Sequence, residues 1–298
     1  MAEATIPVDL RNPGQVFACL GFMEAAEILC GPCEGGFNYR GLETSTSLSL
    51  KVPGAEDPVA ATISFLAQTQ VIALSPTERL FPKAQWNVRT EICRGSIYPG
   101  TLPDSPAALP IVLRVGEKEL PVDHWLDDEA TGRDNVKFWA GAQGKPGAAF
   151  ASDILAPLRA VGANSMAQVL ADPFAFEAPL TGGFRFDWRR DYIALDAGFS
   201  PNDHKSGSGQ ITMVGYPLVE ILAAIGMQHA RPQRPDRRNK LVYRYGVSNA
   251  RLPTVFVRAV LGAQSVGFPM RVFEMRLGWP GQEGQARCII DAEEENIQ

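Results

Sequence analysis

The stretch from Gln15 to Leu29 constrains this chain most. Val16, Phe17, Leu20, Met23, Ile28 and Leu29 recur at helical spacing, with Glu24 and Glu27 on the other side. Asn12 is a good N-cap and Pro13 suits the first helical position. Gly21 inside such a helix predicts close packing against a neighbouring element. Gly31 and Pro32 supply the stop. Leu218–His229, opened by Pro217, is a second well-marked helix.

The remaining elements follow from alternation and turn residues. Thr5–Leu10 reads as a short strand and 35–52 as a hairpin rich in Thr, Ser, Phe and Tyr. Asp57–Leu74 begins as a helix after Pro58. Strands are predicted over Trp86–Tyr98, Leu109–Val115 and Lys118–Val122, and a helix over Ala151–Val161. The polar stretch Asp127–Pro146 reads as a loop around a short strand at Asn135–Ala140, and Pro201–Gly209 as a second loop. Phe184–Leu195 alternates aromatic and polar residues in a two-strand pattern. Val242–Val247, Thr254–Val260 and Met270–Leu277 are the last regular elements, and the acidic tail from Asp291 is expected to fray. Strands and helices alternate without a βαβα rhythm. This predicts an α+β fold of mixed, mainly antiparallel sheets with packed helices. No long linker interrupts the chain, so residues 1–298 read as a single large α+β unit, with a weak subdivision near 146.

Of the 298 residues, 45% are apolar and 20% charged, enough for a sizeable core. No segment reaches the ~18 uninterrupted apolar residues of a membrane span. The N-terminus lacks a basic region followed by an apolar run, so no secretory signal is expected. A net charge of −5 excludes a uniformly basic surface but not a local basic patch. The five cysteines are an odd, sparse set that suits a reducing cytoplasm. Cys30-Gly31-Pro32-Cys33 has thioredoxin-type spacing but follows a helix instead of opening one, so redox chemistry is not expected. No zinc site, other metal site or cofactor motif is expected from the remaining Cys and His residues.

Two segments carry cationic chemistry. The run from Arg231 to Lys240 holds Arg231, Arg234, Arg237, Arg238 and Lys240, and Arg244 follows closely, against the single acid Asp236. Such arginines clamp phosphates without reading bases, and Tyr243 and Tyr245 beside them could stack on a base. The same charges also suit a solvated loop after a helix C-terminus. Arg185, Trp188, Arg189 and Arg190 form the second patch; an edge strand with charged gatekeepers explains them equally well. In the loop 200–205, Asn202, His204 and Lys205 could contact phosphate, or form a simple turn. His204, beside Asp203 and Lys205, is the one candidate for general acid/base cleavage of RNA. No other catalytic residue is expected; His124 and His229 read as structural. The start of the first helix, at Asn12-Pro13-Gly14-Gln15, could receive an anion, though capping accounts for it.

The text of two regions is distinctive. The opening IPVDLRNPGQVFACLGFMEAAE with its following GGF, and GGFRFDWRRDYIALDAGFSPNDHK with the later helix ending QHARP, resemble a small Cas subunit family of type I-U (I-G) CRISPR loci. The middle, about 80 to 180, carries less of the likeness. The resemblance implies a cytoplasmic, non-catalytic subunit of an RNA-guided Cascade-like effector complex. It would meet other Cas subunits, guide RNA and target DNA, with no membrane and no cofactor. It also implies an RRM-like, ferredoxin-like (RAMP-type) core with insertions, which the interspersed elements permit without establishing. An alternative is a guide-RNA-processing endoribonuclease using His204; another is a protein–protein adaptor without nucleic-acid contact.

Overall fold

The computed structural model describes residues 1–39, 46–75, 89–92, 111–122, 147–180, 184–189, 214–236, 238–239, 241–278 and 288–295. In chain order these form β1 (Ala2–Pro7), α1 (Pro13–Cys30), β2 (Glu34–Asn38), β3 (Ser47–Val52), α2 (Pro58–Gln68), β4 (Gln70–Ser75), β5 (Arg89–Ile92), β6 (Ile111–Val115) and β7 (Lys118–Val122). Then come α3 (Gly147–Arg159), α4 (Ala163–Ala171), β8 (Ala178–Pro179), β9 (Val214–Gly215), α5 (Pro217–His229), β10 (Val242–Val247), β11 (Leu252–Pro253), α6 (Thr254–Leu261), β12 (Arg271–Gly278) and β13 (Cys288–Glu294). The fold is α+β, and its sheets are antiparallel except for the parallel β4–β5 pair.

Helices α1 and α5 cross at the centre. Both are apolar on nearly all sides, and 13–26 of α1 and 217–227 of α5 are buried. A helix of that kind must be surrounded by protein. A Cβ on Gly21 would lie 2.0 Å from the carbonyl oxygen of Leu222, and one on Gly226 would lie 2.0 Å from that of Phe17. The two backbones therefore touch where each helix has a glycine. The close packing read from Gly21 is what the structure contains. One set of buried apolar side chains runs from Ile6 to Ile289.

The first sheet has the order β1-β3-β2-β11 and the second β5-β4-β6-β7. The opening run β1-α1-β2-β3-α2-β4, with β3 between β1 and β2, follows a ferredoxin-like path for three strands. The path is not completed: β4 joins the second sheet, and β11 takes the open edge of β2. The third sheet, β10-β12-β13, packs Tyr245, Phe273 and Met275 into the core near Phe17.

Several expectations are corrected. The first strand spans Ala2–Pro7, a few residues before its predicted position. The acidic tail does not fray through Glu294: Asp291–Glu294 pairs with Phe273–Arg276 in β13. The described part of the 184–195 pattern, 184–189, is a turn-containing segment without a strand. Helix α4 was not foreseen. The predicted strand at 135–140 and the loop 201–209 lie outside the described residues.

Candidate nucleic-acid interface

The segment 184–189 crosses the N-termini of both central helices, and its local sequence explains how it is held. Glu220, in the first turn of α5 and 3% exposed, accepts the backbone N–H groups of Arg185 (2.6 Å), Phe186 (2.9 Å) and Asp187 (3.0 Å). The helix dipole favours an anion at this position. Asp187, 1% exposed, accepts from Asn12 Nδ2 at 2.9 Å, from the Arg189 backbone N–H at 2.9 Å and from Arg189 Nη2 at 2.7 Å. Asn12 in turn caps α1 by accepting from the Gln15 N–H. A Cβ on Gly14 would lie 2.6 Å from the Phe186 carbonyl oxygen, so this position needs glycine for the segment to pass. Phe184 and Phe186 point into the core, and Arg185 between them has a φ of 70°, a left-handed conformation uncommon for a side chain of its size.

This arrangement bears on two sequence expectations. The start of α1 is not an open anion site: Asn12, Pro13, Gly14 and Gln15 are buried beneath the 184–187 backbone. Arg189 is engaged within the protein. It pairs with Asp187, donates to the Phe174 carbonyl at 2.8 Å and lies 3.8 Å over the Tyr216 ring. Trp188, between these two fixed residues, is 43% exposed.

The described residues of the 231–244 loop are held by backbone and side-chain hydrogen bonds. Gln233 and Arg244 exchange both backbone hydrogen bonds, at 2.9 and 2.7 Å, which closes the loop onto β10. Asp236 accepts the Arg238 N–H and Asn239 accepts the Leu241 N–H, successive turns of the Asx type. Arg238 is exposed, and Arg231 and Arg234 are partly exposed. Arg244 lies on β10 and forms an ion pair with Glu295. The stacking role expected of Tyr243 and Tyr245 is overturned. They are 4% and 0% exposed, and the Tyr245 hydroxyl donates to the Leu10 carbonyl at 2.7 Å. The outer face of this sheet instead holds a charge lattice in which Arg276 lies 3.5 to 3.7 Å from Glu274, Asp291 and Glu293.

The structure brings the two arginine segments to one end of that sheet. Leu277 donates to the Leu241 carbonyl, pairs with Ile289 in the next strand, and Ile289 donates to the Arg185 carbonyl at 3.3 Å. At roughly 4.8 Å per strand, the end of the basic loop and Arg185 stand about 14 Å apart across the sheet end. Arg190, Asn202, His204, Lys205, Arg237, Lys240 and His124 lie outside the described residues.

His229 Nε2 lies 3.7 Å from Glu24, which also takes both Nε and Nη2 of Arg258 at 2.6 and 2.7 Å. Burial pushes the His229 pKa down, Glu24 opposes that, and Arg258 adds to it. Burial pushes the Cys33 thiol up to about 12 and also raises that of Cys30, the opposite direction from the lowered thiol of a redox CxxC. Among the described residues, no group of three or more His, Cys, Asp or Glu is placed to hold a metal, and no helix is long and apolar enough to cross a membrane. Sequence reasoning missed Glu220 and Asp187. The available signal was an acid within the otherwise apolar run Pro217-Leu-Val-Glu-Ile-Leu222. No family model, curated protein or solved structure matches the chain.

Proposed function

We propose that this protein is a non-catalytic, nucleic-acid-binding subunit of a type I RNA-guided CRISPR effector complex, working in the cytoplasm with other Cas subunits, guide RNA and target DNA. The sequence resemblance suggests the complex. The observation that carries the binding role is that Arg185 and Leu241, near the end of the basic loop, lie across one end of the β10-β12-β13 sheet. Cations spaced across a sheet end can follow a nucleic-acid backbone, and of the described loop residues Arg238, which is exposed, and Arg234, which is partly exposed, are assigned to that contact. The charge lattice on the sheet's outer face argues against binding there, because its arginines are already matched with carboxylates.

The test is a single-stranded RNA titration at several salt concentrations. Each lost phosphate contact lowers the slope of log K against log salt by about 0.7 for single strands. Arg234→Glu with Arg238→Glu should therefore lower it by about 1.4 and weaken binding. An unchanged slope and affinity would sink the assignment.

A second reading, a protein adaptor without nucleic-acid contact, is favoured by one observation. Val255 and Phe256 on α6 are 59% and 46% exposed, and Phe268, 40% exposed, meets Phe256 edge-on at 6.3 Å. Apolar patches of this kind mark contact surfaces. Salt-insensitive assembly with neighbouring subunits in the absence of RNA would favour the adaptor.

A further inference from the structure

We propose that Trp188 is a stacking anchor for one nucleobase of single-stranded nucleic acid. This rests on the nucleic-acid reading above and assigns it a specific contact. The argument starts from the turn that displays the ring. Residues 185–187 give three backbone N–H groups to the buried Glu220, and Asp187 is fixed to Asn12 and to Arg189. Arg189 is in turn fixed to Phe174 and Tyr216. Arg185 is held at a φ of 70°, a conformation that persists only where its surroundings over-determine it, and such positions cluster at ligand sites.

These hydrogen bonds leave an indole 43% exposed on a turn whose neighbouring residues are each fixed to the core. The neighbouring Phe184 and Phe186 are 1% and 0% exposed, so theirs are the rings this segment buries fully and the indole is the one it leaves at the surface. A flat aromatic side chain on a rigid turn loses little entropy when a flat ligand stacks on it, and every base offers a π-face. The Arg185 backbone, three residues before Trp188, lies at the same sheet end as Leu241, where the basic loop rejoins the sheet.

The experiment compares a short single-stranded RNA with an abasic sugar-phosphate oligomer of equal length, both bound to the full-length protein. Trp188→Ala should weaken RNA binding roughly 10- to 100-fold, the range for loss of one stacked base. The salt slope should stay unchanged, because no phosphate contact is lost. Trp188→Phe should retain most of the affinity. The abasic oligomer should bind the wild type and Trp188→Ala alike. Equal RNA affinity for wild type and Trp188→Ala would overturn the stacking role while leaving the phosphate reading intact. So would equal losses on both oligomers. A wild type that binds neither oligomer would overturn both proposals. Melting temperature is the control for folding, and Trp188→Phe keeps the test decisive if the alanine variant melts early.

Discussion

Replacing Glu220 by Gln tests whether the 184–189 turn is braced as described. The carboxylate is acceptor-only: one oxygen takes the N–H groups of Phe186 and Asp187, and the other takes that of Arg185. Gln keeps one acceptor oxygen and puts an NH2 where the other stood. Whichever way the amide turns, at least one buried N–H faces a donor. A hydrogen bond to a charged group contributes about 1.5–3 kcal/mol, and a neutral one about 1 kcal/mol. At the lower end of these ranges, one bond lost and two weakened come to about 3 kcal/mol, a large share of the roughly 5–15 kcal/mol typical of folded domains. The melting temperature should fall by roughly 6–12 °C. Hydrogen exchange separates local from global effects: the Arg185, Phe186 and Asp187 amides should lose protection more than those of β10. A Glu220→Gln protein with an unchanged melting temperature and unchanged amide protection would refute the brace.

Two further predictions concern the helices that carry the brace. Gly21→Ala gains nearly 1 kcal/mol of helix propensity but places a methyl 2.0 Å from the Leu222 carbonyl oxygen, a backbone clash that no rotamer relieves. A net loss of about 1–3 kcal/mol in denaturant unfolding is expected; stability equal to or above wild type would show that the helices do not touch there. His229 has a folded pKa below its unfolded value, mainly through burial, so the unfolded chain binds the proton more readily. Its contribution is complete above the unfolded pKa of about 6.5 and is lost as pH falls toward the lower folded value. The melting temperature of wild type should therefore drop more steeply than that of His229→Gln between pH 7.5 and 5.5, and parallel profiles would refute the burial argument.

Elements with one dominant period were legible in the sequence. The α1 and α5 helices and the hairpins β2–β3 and β6–β7 fall close to where spacing and turn residues place them, and β10 coincides with Val242–Val247. Strand β13 was not legible because its outer part is held by cross-strand charge pairs such as Arg271 with Glu294, so Asp291–Glu294 carries no apolar alternation. The alternation of Phe184, Arg185 and Phe186 was real, since both phenylalanines are buried, but it was mistaken for a strand. The backbone donors that a partner strand would have satisfied are satisfied by Glu220, and the left-handed Arg185 bends the chain. The inward turn of Tyr243 and Tyr245 was available in principle. Residues two apart on a strand share a face, and Arg244 between them belongs outside, so both rings had to face the core.

The described part of the second distinctive stretch, 184–189, packs on the start of the first. Asn12 and Asp187 are joined across 175 residues of chain. The glycines at the α1–α5 crossing let the two helices approach closely enough that both N-termini serve the same short segment. Each element of the asparagine-proline-glycine start of α1 then has a reason: Asn12 caps the helix and holds Asp187, Pro13 fixes the first turn, and Gly14 leaves room for the Phe186 carbonyl. Buried carboxylates are costly unless fully partnered, and here two of them are spent on fixing six residues. That cost is hard to account for if 184–189 only joins two elements. It is accounted for if the segment must hold Trp188 and the Arg185 backbone in one place relative to the basic loop across the sheet end. On the stacking role proposed for Trp188, loosening the helix crossing by Gly21→Ala should reach Trp188 through Asn12 and Asp187, and weaken RNA binding more than the abasic control.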